Sequence, residues 1–158
     1  MKLGNISEEL KKLAIQTGSV FKMIINPYEG VIPKEESDKS RTKYFVVIGI
    51  DEESIQVGSL LINSEVNINM CHMIAQYQFC IYPENYQFLG DKYRYVDCYR
   101  IKELQFKRII SDGHYIDRIK PEDFKKVIQY VNNSPVNKPS TLKKYGIFIE
   151  KSSAPLML

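Results

Sequence analysis

Hydrophobic positions fall in short dense runs separated by polar stretches, a pattern that predicts strands more often than helices. Gly18 to Ile25 (GSVFKMII) is rich in β-branched and aromatic residues and predicts a first strand, closed by Asn26-Pro27. Tyr44 to Ile50 (YFVVIGI) is almost wholly apolar, as expected of a central strand buried on both faces. Ser54 to Ile62 (SIQVGSLLI) predicts its hairpin partner, in which Gly58 marks a bulge or a close backbone approach. Further strands are predicted over Ile74 to Tyr82, ended by Pro83, and over Tyr95 to Ile101. Leu104 to Ile110 reads as a strand or a short helical turn, and Asp112-Gly113 as a turn.

Two stretches carry helical spacing. Ser7 to Gln16 has a capping serine, acids in its first turn and an apolar stripe of Leu10, Leu13 and Ala14. Pro121 to Asn133 starts with Pro121, Glu122 and Asp123, which suit the positive N-terminal end. Phe124, Val127, Ile128 and Val131 then recur on one face. Polar loops are expected over residues 26–42 and 63–69 and a connector over 85–90, and residues 134–158, rich in Pro, Ser and Lys, read as a tail with one turn near Thr141 to Tyr145 and loosely held last residues. The expectation is a mainly β (α+β) single domain over residues 1–158. It comprises an N-terminal helical extension (1–17), a core of about five or six strands (18–133) forming a small, partly open antiparallel barrel with a C-terminal helix, and the tail.

A chain of 158 residues can bury a core without staples. Its 22 basic and 19 acidic side chains permit a nucleic-acid partner without arguing for one. Eleven Tyr and no Trp suit half-buried strand faces, and tyrosine also stacks on bases. Cys71, Cys80 and Cys98 are odd in number and lack CxxC spacing, which argues against a disulfide framework or a structural zinc site. Cys71 beside His72 does not make a ligand pair on a strand, so no metal or other cofactor is expected. The charged N-terminus has no secretory pattern and no apolar stretch reaches membrane-spanning length, so the expected location is cytoplasmic.

P-loop, GxSxG, HExxH and dinucleotide-binding fingerprints are all missing from the sequence. What stands out is Arg41, immediately before the buried run Tyr44 to Ile50. A planar guanidinium held by a rigid strand at the mouth of a loop binds phosphate through two hydrogen bonds. Solvation of a surface arginine is the plainer reading of the same pattern.

The order of pieces GSVFKMIINPYEG (18–30), SRTKYFVVIGI (40–50), VGSLLINSEVN (57–67), YVDCYRIKEL (95–104) and IKPEDFKKVIQYV (119–131) resembles the MazF/PemK family of toxin endoribonucleases. The resemblance covers residues 18 to 133 and implies that the barrel is SH3-like. Two features depart from the family pattern: Thr42 follows Arg41 where the family usually has Pro, and Asn63, with Ser64 next to it and Ser59 within the strand, stands where the family has a hydroxyl.

The resemblance implies metal-independent cleavage of single-stranded RNA, in which the 2′-hydroxyl attacks its own phosphate and leaves a 2′,3′-cyclic phosphate. Arg41 would then stabilise the phosphate, and Ser64, Asn63 or Ser59 would hydrogen-bond a phosphoryl oxygen. Arginine stays protonated, so a separate base is required, and His72 is the candidate by its ordinary pKa. Lys34, Lys39 and Lys43, with Tyr28 and Tyr44, are the candidate RNA contacts. A homodimer and an antitoxin protein are the partners implied. A non-catalytic module that binds nucleic acid or protein on the same barrel is the alternative.

Overall fold

The computed structural model describes residues 13–26, 41–64 and 72–149. Among the described residues seven strands form one antiparallel sheet: β1 (Ser19–Ile25), β2 (Arg41–Ile50), β3 (Gln56–Asn63), β4 (Gln78–Ile81), β5 (Arg94–Asp97), β6 (Lys102–Gln105) and β7 (His114–Arg118). The spatial order is β4-β5-β3-β2-β1-β7. The outer edge of β3 is shared, its first half pairing with β6 and its last residues with β5. That fork curls the sheet into the small, partly open barrel expected. Four helices accompany it among the described residues: α1 (His72–Ala75), α2 (Phe106–Asp112), α3 (Pro121–Asn133) and α4 (Pro139–Lys144).

The apolar run in β2 is continuous because both faces of the central strands are covered. Val20, Val46, Ile48, Leu60, Ile62 and Val96 share one face, under Val127 and Val131 of α3, Leu142 of α4, and Tyr145 and Ile147 beyond it. Phe21, Met23, Ile25, Phe45, Val47, Val57 and Leu61 share the other, under Ile15 and Phe106 and Ile109 of α2. Side chains alternate between faces along a strand, so a strand buried on both sides has no polar positions to show.

Gly58 earns its place by close approach. The register slips between Val47 and Gly49, setting Gly49 opposite Gly58. A Cβ at Gly58 would sit 2.8 Å from the Tyr145 ring, and one at Gly49 would sit 2.4 Å from the Tyr145 carbonyl. The two glycines form the slot that admits Tyr145.

α3 matches its expected span. Lys120 precedes it without a side-chain cap, and Tyr86 fills that role: its hydroxyl accepts the Lys120 N–H at 3.0 Å and donates to Asp123 at 2.5 Å. Buried Asn137 closes the link between β5 and β6. It accepts the Ile101 N–H at 3.0 Å and donates to the Val131 and Cys98 carbonyls at 3.0 and 3.3 Å.

Several expectations need correction. Only Gln78–Ile81 of the strand expected over Ile74 to Tyr82 is a strand, because only those residues meet β5; Ile74 and Ala75 belong to α1. β3 begins at Gln56 rather than Ser54, since Ser54 has φ +55° and Asp51 accepts the Ile55 N–H at 2.7 Å to hold a turn. β5 stops at Asp97, whose carboxylate accepts the Tyr99 N–H at 3.0 Å and turns the chain. Leu104 to Ile110 divides between β6 and α2, and β7, given no element from sequence, pairs with β1. The segment read as a tail is core as far as Ile147, with Leu142, Tyr145 and Ile147 buried, and its last residues, 150–158, lie outside the described residues. Of the N-terminal helix, Leu13 and Ala14 are helical, and the remainder of its expected span before them lies outside the described residues.

Candidate nucleic-acid interface

β2 changes character along its length. Phe45 to Gly49 are buried, whereas Arg41 to Tyr44 are exposed or half-buried. Arg41 is the first residue of the strand, not a residue before it, so the pleat fixes the direction of its side chain. Arg41 and Lys43 lie on the face of Phe45 and Val47, opposite Ile25 and Met23 of β1. Their aliphatic stems extend that apolar face and their charged ends lie beyond it.

The register continues this row across the sheet. Tyr44 pairs with Ile62, which sets Lys43 beside Asn63, and the Lys43 ammonium donates to Asn63 Oδ1 at 2.6 Å. Asn63 pairs with Tyr95, and Tyr95 with Cys80. Tyr82 just past β4 and Tyr93 just before β5 follow where the connection of this β4–β5 hairpin starts and ends, with ring centroids 5.8 Å (Tyr93–Tyr95) and 6.2 Å (Tyr82–Tyr93) apart. One face thus carries Arg41, Lys43, Asn63, Tyr95, Tyr93 and Tyr82 in sequence, cations at one end and phenols at the other. The Tyr95 hydroxyl is held above the usual phenol range by partial burial and by Tyr93 and Cys80 nearby, and that of Tyr82 by a hydrogen bond with Cys80. Both remain neutral donors well above neutral pH.

Candidates from sequence divide three ways. Arg41, Lys43 and Asn63 come together. Ser64 is exposed in the bend just past β3, at the same end of the sheet, and Ser59 is buried, donating to the Lys102 carbonyl at 2.9 Å, which removes it from the site. Tyr44 faces the opposite side, where the Lys22 ammonium and Arg94 guanidinium lie 5.4 and 5.2 Å from its ring centroid. Tyr28, Lys34 and Lys39 lie outside the described residues, as does the side chain of His72.

Sequence reading missed the hairpin tyrosines, although Tyr93 and Tyr95 at spacing two already indicated a shared strand face. It also missed a groove of about 780 Å³ at the outer edge of β1, lined by Lys22, Ile24, Thr42, Arg108, Asp112 and His114. There Arg108 donates to the Ile24 carbonyl, which β7 leaves uncovered, and its guanidinium lies 3.5 Å from Asp112. That contact blunts the sheet edge against further strand pairing. Among the described residues no three His, Cys, Asp or Glu side chains cluster to hold a metal, and no helix is long and apolar enough to cross a membrane.

No protein-family model matches this chain, and no curated protein matches it either. The resemblance to MazF/PemK toxins therefore stands on the quoted motifs alone.

Proposed function

We propose that the protein is a metal-independent endoribonuclease of the MazF/PemK kind, acting on single-stranded RNA at the open end of its sheet. The supporting observation is the convergence of Arg41, Lys43 and Asn63 on one sheet face, continuous with a row of tyrosines. In this reading Arg41 and Lys43 neutralise the phosphate as negative charge builds on it. Asn63, already held by Lys43, gives a phosphoryl oxygen or the 2′-hydroxyl a fixed amide partner, and Ser64 stands next to it. The 2′-hydroxyl displaces the 5′-oxygen, leaving a 2′,3′-cyclic phosphate. A two-fold second copy and an antitoxin protein are the partners this reading carries with it.

A second reading, binding without cleavage, is favoured by one observation. The row Arg41, Lys43, Asn63, Tyr95 includes no histidine or carboxylate to move the proton. The deciding experiment incubates a long, weakly structured RNA with the protein in EDTA and maps the ends. New ends bearing cyclic phosphate, lost with Arg41→Ala, establish cleavage. RNA that is bound but intact, with binding dependent on Arg41, establishes the second reading. RNA neither bound nor cut removes both.

A further inference from the structure

We infer that Tyr82, Tyr93 and Tyr95 form a base-stacking subsite for single-stranded RNA, adjoining the phosphate-contacting Arg41, Lys43 and Asn63 on the same sheet face. The inference rests on the RNA reading above and deepens it by dividing the row into a backbone-contacting end and a base-contacting end.

Position carries the first step. Strands lie about 4.8 Å apart, so Tyr95 stands two strands, or about 10 Å, from Lys43. A strand of RNA whose phosphate meets Arg41 and Lys43 extends its neighbouring bases over the β4–β5 hairpin. Exposure carries the second. Tyr82 and Tyr93, just outside β4 and β5, are 50% and 53% exposed, so their rings are open to a ligand. Packing geometry carries the third. Tyr93 meets Tyr95 edge to face at 88° and Tyr82 at a tilt of 50°, so neither pair stacks flat and ring surface is left open. Chemistry carries the fourth: phenol rings offer faces on which bases stack, and every nucleotide presents such a face whatever its sequence.

The test uses a fluorescently labelled, fully 2′-O-methylated RNA oligonucleotide of mixed sequence, which binds but cannot be cut, titrated into the full chain in EDTA. Tyr93→Leu should weaken binding about tenfold and Tyr82→Leu with Tyr93→Leu about a hundredfold, while Tyr93→Phe, which keeps the ring, binds like wild type. Replacing the bases nearest the tyrosines by abasic sites should erase the difference between wild type and the leucine variants. Melting curves check that each variant is folded.

If the double leucine variant binds as tightly as wild type while Arg41→Ala does not, the stacking subsite falls and the RNA reading survives. If wild type itself fails to bind, both fall. If the leucine variants change the sedimentation of the protein and leave RNA affinity untouched, the tyrosines belong to a protein interface and the inference is overturned.

Discussion

The two ends of β2 are built from one strand and obey opposite rules. From Phe45 to Gly49 every residue is buried, the neighbouring β3 residues are buried as well, and Tyr145 is driven into the slot between Gly49 and Gly58. From Arg41 to Tyr44 the strand is half open and bears cations, and the strands beside it bear an amide and tyrosines. At the sealed end polar side chains serve the fold: Ser59 and Asn137 are buried and spend their hydrogen bonds on backbone. At the open end the corresponding groups, Arg41, Lys43 and Asn63, are only half-buried. The contrast teaches where substitutions should alter function without unfolding the chain, and where the reverse should hold.

The largest effect should come at the open end. Arg41→Ala should leave stability within about 0.5 kcal/mol of wild type, as surface substitutions usually do. RNA cleavage should fall by two to three powers of ten, about 3–4 kcal/mol, because a preorganised charge aimed at the phosphate is lost. Arg41→Lys should recover little, since a point charge cannot make the two-pronged contact. A melting curve beside single-turnover cleavage reads both. Wild-type cutting by folded Arg41→Ala would dissolve the functional half of the contrast.

Asn137→Ala attacks the sealed side. It strands the Ile101 N–H and takes a donor from the Cys98 and Val131 carbonyls, all in a buried place. Unsatisfied buried groups cost about 1–3 kcal/mol each, so urea unfolding should register a loss of about 3 kcal/mol. RNA affinity of the folded fraction should be unchanged. Asn137→Asp should not rescue, because a carboxylate cannot donate to two carbonyls.

Gly58→Ala should cost somewhat less, about 2 kcal/mol by overpacking, since its Cβ would meet the Cγ–Cδ2 edge of the Tyr145 ring. The cost should shrink in a Tyr145→Ala background, where those atoms have gone, and a double-mutant cycle by urea denaturation would show the coupling. Gly49→Ala should find no such relief, because its nearest neighbour is the Tyr145 backbone. Equal costs for Gly58→Ala in both backgrounds would mean that the slot does not seat the ring.

This contrast was only half legible in the sequence. The apolar run of β2, the proline and acids that open α3, and the glycine in β3 are local signals, and each led to the right element. Sequence also singled out Arg41, because a strand end preceded by a polar loop is visible as a change of composition, whereas Lys43 and Asn63 were reached only through the family resemblance. The tyrosine row was not legible. It depends on Asn63 pairing with Tyr95 and Tyr95 with Cys80, and a register between strands 15 to 32 residues apart leaves no local trace. The C-terminal segment was hidden for a related reason. Leu142, Tyr145 and Ile147 are sparse among Pro, Ser and Lys, and only the glycine slot they meet, some ninety residues earlier for Tyr145, shows that they belong to the core.

The smallest expected effect tests whether the sealed side is held by its polar contacts as well as by its packing. Tyr86 is almost fully buried and its hydroxyl joins the β4–β5 connection to the start of α3, through Lys120 and Asp123. Tyr86→Phe keeps the ring and removes that link, so stability near pH 7 should fall by about 1 kcal/mol. Burial and the hydrogen bond to Asp123 hold the Tyr86 phenol above its ordinary value of 10.0. A folded-state pKa raised in this way gives stability that is fully present below the unfolded pKa. It is lost as pH climbs from there through the folded value, because only the unfolded chain ionises readily. Wild type should therefore lose stability above about pH 10, and the gap to Tyr86→Phe should close in that range. The variant should still weaken in alkali, since burial also raises the Tyr145 phenol and the Cys98 thiol. Urea midpoints at pH 7, 9, 10 and 11 for both proteins make the comparison, and a gap that stays constant to pH 11 would show that the hydroxyl of Tyr86 does not link the hairpin to α3.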